Sequence, residues 1–390
     1  MSFFFIFGDP LIYGLLQIAT VLTLLICGYL ISKEKKISSK KFWTIAAVAI
    51  IIYTITQGLR WGRGVDYWWY LESASGIYRD KDEQQMAEEP LFFLLITIFR
   101  TKIIPPYFLF VVQSFLLIYS YIKVVRNFPQ TAVWSFPLFF FIFGVYGITM
   151  VRQDLALSLV LLALSSYLNN QKKWMWIMLA LSPLIHFSAF IAILPFAAIV
   201  LMPYSYKRWH GLSFLSIYIL IIMFWNPSWF QAIANLLTQS DLGTESVRAE
   251  AYVNNASDVL TLQGALIVSD TTKPSIFFKI SDYLCCSITI LLGYESLKYN
   301  KKLKVPYIFT LAAIYLNQMG AGMEIWDRIM SWFLYMMPII LSLAILEAKK
   351  INKYVFVFVF LCVLYKYYFY FIKNIGTIPS WGCAFVWDAI

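Results

Sequence analysis

Apolar runs of membrane-spanning length recur from one end of this chain to the other, separated by short basic loops. A helix rises 1.5 Å per residue, so about 20 apolar residues match a hydrocarbon core about 30 Å thick. With 61% hydrophobic and 13% charged residues, no stretch is long and polar enough to make a soluble domain. The reading is an all-α polytopic membrane protein, one integral membrane domain over residues 1–390. The N-terminus, MSFFFIFGDPLIYGLL, carries no Lys or Arg before its first apolar run, so it reads as a retained anchor rather than a secretory signal.

The formal net charge is +10, but most of the basic residues sit in the short loops. That is the pattern of cytoplasmic loops and reports orientation rather than a nucleic-acid partner. Four of the five cysteines fall inside apolar runs and only Cys383 reaches water, so neither a disulfide framework nor a metal-ligand spacing is present.

The basic loops run from Lys33 to Lys41, Lys123 to Arg126, Lys172 to Lys173, Lys207 to Arg208, Lys298 to Lys304 and Lys349 to Lys353. If all lie on one side, each connection between them crosses the membrane an even number of times. Spans are expected near 11–31, 42–58, 107–122, 131–149, 153–168, 212–230, 276–296, 305–321, 329–347 and 354–372. The run 174–202 is too long for one crossing and short for two, and Pro183 and Pro195 interrupt it. It reads as two short broken spans forming a hairpin with its tip near His186, an arrangement tolerated where freed backbone lines a protein-walled cavity. The total is about twelve spans with both termini outside.

Polar length then lies in two outer loops, 59–106 and 231–275. The first contains PLFFLLITIF, too short to span and expected at the interface or re-entrant. The inner loops are too short to hold a nucleotide-binding domain, and no Walker or Rossmann fingerprint occurs. Chemistry in such a chain faces outward and needs a donor that is already activated, for which a lipid-borne donor fits.

This layout gathers the unusual polar residues on the outer side. They are Arg60, Arg63 and Asp66 in RWGRGVDYWWY, Glu88 and Glu89 in AEEP, and Arg152, Gln153 and Asp154 in MVRQDL. His186 at the hairpin tip joins them, with Glu324, Asp327 and Arg328 in EIWDRIMSWF. Each group also has a structural reading. Arg152 with Asp154 caps a helix, Glu324 and Arg328 pair four residues apart, Arg63 pairs with Asp66, and a lone histidine is buried and satisfied. Together, arginines beside carboxylates and a histidine suit a phosphate leaving group and general-base chemistry. Asp80 and Asp82 form an acidic pair of a kind common in solvated loops, and no metal site is expected there.

In order along the chain, RWGRGVDY, EEPLFFLLITIF, MVRQDLALSLVLLAL, HFSAF and WDRIMSWF resemble the EpsG/Wzy-type polysaccharide polymerases of bacterial envelopes. Asp154 departs from that pattern, and the 231–275 loop has no counterpart in it. The resemblance implies a GT-C-like enzyme of the bacterial inner membrane with its site facing the periplasm or outside. It would transfer a growing glycan from undecaprenyl pyrophosphate to another lipid-linked repeat unit, without a metal or other cofactor. It implies that Arg152 contacts the pyrophosphate, with Arg60, Arg63 and Arg328 assisting. Asp66, Glu89 and His186 are the candidate bases, and Gln153, Tyr67 and Asp327 are further substrate contacts. Trp61, Trp68, Trp69 and Tyr70 either stack on sugars or form an interfacial aromatic belt. A chain-length regulator is a candidate partner. Two other classes compete. A flippase of lipid-linked sugars explains the spans but not the long outer loops, and no internal repeat is visible. An envelope acyltransferase needs access to a cytoplasmic acyl donor that nothing here provides.

Overall fold

A computed structural model describes residues 8–34, 36–63, 66–77, 88–101, 103–143, 150–202, 207, 209–225, 276–319, 324–368, 371 and 383–389, without the side chains of 324–327, 368 and 389. Among these the regular structure is helical, and the one strand-like pairing is an isolated antiparallel bridge between Arg60 and Phe385. The 231–275 loop, Asp80 and Asp82 lie outside the described residues. The backbone forms two compact units, Met1–Leu201 with Tyr367–Ile390, and Met202–Lys366.

The first unit contains α1 (Pro10–Ser32), α2 (Ser39–Gly58), α3 (Tyr67–Ala74), α4 (Pro90–Arg100), α5 (Phe108–Val125), α6 (Ala132–Phe143), α7 (Val151–Leu168), α8 (Lys172–Leu181) and α9 (Phe190–Leu201). α1 packs on α2 and α6, α2 on α5, α5 on α7, and α7 on α8. Close approach comes from small residues. A Cβ on Gly58 would lie 2.8 Å from the Val111 Cα, so glycine lets the end of α2 touch α5. α7 buries Ala156, Ser158, Ala163 and Ser165 and is the most enclosed of the long helices.

The two ends of this unit differ in chemistry. At one end Arg126 Nη2 donates to Ser39 Oγ (3.0 Å) and Ser165 Oγ to the Lys123 carbonyl (3.2 Å), which gathers three basic turns. The opposite end holds α3, α4, the start of α7 and the turn after α8. There Trp61 N–H donates to the Ala384 carbonyl and Val386 N–H to the Leu59 carbonyl, both at 2.9 Å. Gly8 packs so closely on this segment that a Cβ would lie 2.4 Å from Ala384 N. Residues near both termini therefore meet at the end away from the basic turns.

The run 174–202 is two short helices, α8 and α9, joined by 3-10 turns at Ser182–Leu184 and Phe187–Ala189 with His186 between them. Pro183 lies in the first turn and Pro195 within α9. α9 returns toward the basic end, where Phe196 meets Tyr167 edge-on at 6.2 Å. The segment PLFFLLITIF forms α4, about 16 Å long, with Phe92, Ile96 and Phe99 buried.

The second unit contains α10 (Trp209–Phe224), α11 (Ile276–Glu295), α12 (Lys304–Met319), α13 (Glu324–Leu334), α14 (Met337–Ile351) and α15 (Lys353–Val363), with a π turn at Leu364–Tyr368. The expected continuous span 329–347 is instead broken, with α13 and α14 meeting at 46°. Pro338 lacks an amide hydrogen and cannot continue a helix from Leu334. In the π turn Lys366 forms an ion pair with Asp282 of α11.

Among the described residues, five helices are long and apolar enough to cross a membrane, six if the bent pair is one span. Of the about twelve crossings read from sequence, three fall on apolar helices of 10–17 residues, Pro129–Phe143, Phe187–Leu201 and Trp209–Phe224; Pro90–Arg100 is a further helix of this kind that the sequence did not count as a span.

Candidate active site

Glu89 organises the non-basic end of the first unit. Pro90 opens α4 at the position where a missing amide hydrogen costs nothing, leaving Glu89 at the N-cap. A carboxylate there ordinarily caps its own helix, but that of Glu89 makes no cap bond. It turns to two other elements instead. Oε2 accepts from Arg152 Nη1 of α7 at 2.8 Å, and Oε1 lies 2.6 Å from His186 Nδ1. The Phe187 amide also donates to Oε1 (3.3 Å). Glu89 is 4% exposed. Burial pushes its carboxyl up, and the hydrogen bond from His186 with the charge of Arg152 more than offsets this, leaving it below its ordinary value.

Arg152 is held on three sides. Its Nε donates to Tyr70 Oη (3.2 Å), Nη1 pairs with Glu89, and its plane lies over Trp69 (5.1 Å to the ring centre), with Phe92 at 5.9 Å. Nη2 makes no hydrogen bond among the described residues, and the side chain keeps 16% of its surface exposed. A guanidinium gripped at one edge with donor capacity at the other is suited to an anion. Burial pushes the Tyr70 hydroxyl above its usual pKa, partly offset by Arg152, so it remains a neutral partner.

Arg60 and Tyr67, expected as substrate contacts, are turned inward. Arg60 is 1% exposed and donates to the Gln57 carbonyl (2.6 Å), the Arg63 carbonyl (3.2 Å) and Gln113 Oε1 (2.9 Å), among other contacts. Gln113 Nε2 donates in turn to Asp154 Oδ2 at 2.6 Å. Burial, then the neighbouring Arg63, pushes the Arg60 pKa down to about 9, which leaves it charged at neutral pH. The Tyr67 ring stacks on Phe110 at 4.2 Å, and its hydroxyl donates to the Arg60 carbonyl (3.1 Å).

Arg63 is buried between the rings of Tyr13 (4.8 Å) and Phe385 (5.6 Å) and donates to the Thr56 carbonyl. Two of the short-range pairings suggested by spacing do not form: Arg63 makes no ion pair with Asp66, and Arg152 pairs with Glu89 rather than Asp154; the third, Glu324 with Arg328, involves a side chain outside the description. Asp66 stands at the N-cap of α3 without capping it, and its carboxylate makes no hydrogen bond among the described residues. Gln153 is buried on α7. Arg328 belongs to α13 in the second unit and is partly buried, and the Asp327 side chain lies outside the description. Sequence reasoning missed Gln113, whose signal was a lone amide in the apolar helix FLFVVQSFLL. Among the described residues no three His, Cys, Asp or Glu side chains gather as metal ligands do.

A family model described as the EpsG family matches residues 43–381. The chain belongs to the EpsG family. Members are Wzy-type polysaccharide polymerases, so the general activity is glycosyl transfer that builds a polysaccharide. The match includes Glu89, Arg152 and His186 as well as the Arg60–Gln113–Asp154 chain. No curated protein and no solved structure is significantly similar. The candidate site of this EpsG-family chain thus combines an arginine edge, a carboxylate-held histidine and two aromatic faces at one end of the first unit.

Proposed function

We propose that this EpsG-family chain polymerises lipid-linked repeat units on the outer face of the bacterial plasma membrane. The donor is a glycan on undecaprenyl pyrophosphate, and no metal takes part. The observation that supports this reading is the Arg152–Glu89–His186 constellation at the end of the bundle away from the basic turns. If the basic turns face the cytoplasm, this end faces outward.

In the reaction, the acceptor hydroxyl of one lipid-linked unit attacks the anomeric carbon of the donor glycan. A new carbon–oxygen bond forms as the bond to the diphosphate breaks, and the lipid diphosphate departs. Arg152 meets the negative charge that grows on the departing diphosphate. His186 takes the hydroxyl proton, its ring fixed by Glu89 at Nδ1, which assigns base work to Nε2. Trp69 offers an apolar ring to a sugar beside Arg152. The about twelve crossings and a GT-C-like architecture belong to this same reading, with a chain-length regulator as partner.

The test replaces Arg152 by Lys and by Ala in cells and follows both polymer length and surface delivery of single repeat units. A polymerase defect leaves single units outside and no long chains. Failure of single units to reach the surface would refute polymerisation and favour a flippase.

A further inference from the structure

Tyr70 gives Arg152 an oxygen and keeps a proton. Its Oη accepts from Arg152 Nε at 3.2 Å, and the Arg152 backbone amide bears on the same oxygen. The hydroxyl itself donates to no acceptor among the described residues. A phenol is both donor and acceptor, so one polar hydrogen is left over beside the arginine. Resting on the reading of Arg152 as the diphosphate ligand, we propose that Tyr70 is a second substrate contact, its hydroxyl donating to the diphosphate oxygen that Arg152 Nη2 binds.

The shape of a guanidinium brings that oxygen within reach. Nε–H and one N–H of Nη2 point the same way along one edge of the fork. Tyr70 Oη fills the acceptor position opposite Nε, while Nη1 on the other edge is taken by Glu89. A ligand oxygen opposite Nη2 then lies beside the Tyr70 hydroxyl, at about the 2.5–2.7 Å of an O–H···O⁻ bond. Nη2 is open to such a ligand. It has no protein partner among the described residues, yet it is not sealed in the interior as the unpartnered Nε and Nη1 of Arg63 are. Neither carboxylate of the site takes the Tyr70 proton. Among the described residues Glu89 turns its oxygens to Arg152, His186 and the Phe187 amide, and the Asp66 carboxylate makes no hydrogen bond. The Tyr70 ring is held in place, 3% exposed, with Phe92 edge-on at 5.9 Å and Trp69 at 4.6 Å. Burial keeps its hydroxyl protonated and therefore a donor. A donor fixed beside the cation gains strength as negative charge grows on the departing diphosphate.

The test uses the detergent-purified full chain with inorganic pyrophosphate as the probe. Binding is measured by calorimetry near neutral pH. Tyr70→Phe keeps the ring and removes the hydroxyl. It should bind pyrophosphate about tenfold more weakly, because a hydrogen bond to a charged group is lost. A Tyr70 that only holds Arg152 gives the opposite sign, since its loss frees Nε beside Nη2 for a bidentate grip. Equal or tighter binding by Tyr70→Phe therefore overturns the contact while leaving Arg152 as the diphosphate ligand. Failure of wild type to bind, or equal binding by Arg152→Ala, overturns the contact together with the reading beneath it. If Tyr70→Phe melts well below wild type, Tyr70→3-fluorotyrosine decides. Fluorine makes the hydroxyl a stronger donor and a weaker acceptor, so binding tightens if the hydroxyl donates to pyrophosphate. Unchanged or weaker binding by that variant overturns the contact.

Discussion

Replacing Arg60 by Ala separates a structural arginine from a substrate-binding one. Among the described residues Arg60 has at least three protein acceptors, and it is 1% exposed. Truncation strips the Gln57 and Arg63 carbonyls and Gln113 Oε1 of a charged donor inside the bundle, and removes the arginine at the far end of the Gln113 bridge from Asp154. Breaking a buried charged network by removing one member costs about 3–5 kcal/mol, since the groups left behind cannot reach water. For a unit of this size that is a fall in melting temperature of roughly 5–10 °C or more. The assay is heat-induced loss of the monodisperse peak of purified protein in detergent, run beside polymer length in cells. Arg152→Ala is the control, because its partly exposed side chain contributes less to the interior and its loss acts on chemistry. Arg60→Ala should lose stability and polymer together. Arg60→Ala with wild-type melting and no polymer would refute the argument, and would make Arg60 a substrate contact after all.

Three further outcomes follow from the same geometry. His186→Gln should slow transfer by about 10²-fold or more in an assay with purified lipid-linked units, the usual worth of a general base, while Asp66→Asn costs less than about tenfold; the reverse order would move the base to Asp66. Because the Glu89 carboxyl is held below its ordinary value, its stabilising effect is full above its unfolded pKa and is lost as pH falls through the lower folded one. Melting curves of wild type should therefore fall between about pH 5 and pH 3 more steeply than those of Glu89→Gln. In the second unit, Lys366→Met leaves Asp282 unpaired within a span and should cost about 3–5 kcal/mol in an unfolding assay, most of it recovered when Asp282→Leu is added.

The helices were legible because lipid imposes a simple rule on them. α1, α2, α5, α7 and α11 lie within a few residues of the spans read from apolar length, and the Pro183 break was visible as a proline in a run of awkward length. The 46° break before Pro338 was not read, because the apolar run continues through it unchanged. At the site, sequence placed Glu89, Arg152 and His186 on one side, but could not pair them. Glu89 and Arg152 are 63 residues apart, and Glu89 and His186 are 97. Spacing suggests only near neighbours, such as Arg63 with Asp66 and Arg152 with Asp154, and these two do not pair. Nor could spacing tell Arg60 from Arg152, since both are arginines at the border of an apolar run. Only burial and partners separate them.

The head of α7 shows how one helix serves both networks. Successive residues turn about 100° around a helix axis, so Arg152 and Asp154 point about 200° apart. Arg152 faces α3 and α4, where it meets Tyr70 and Glu89, while Asp154 faces α5 and meets Gln113. Asp154, which the sequence resemblance left unexplained, is thus the carboxylate end of the buried chain that holds Arg60, not a partner for Arg152. Two opposite charges two residues apart would be poor neighbours for a site that must keep its arginine available. Placed on opposite faces, the carboxylate anchors α7 to α5 and α2, and the arginine is presented by a helix that is fixed from behind.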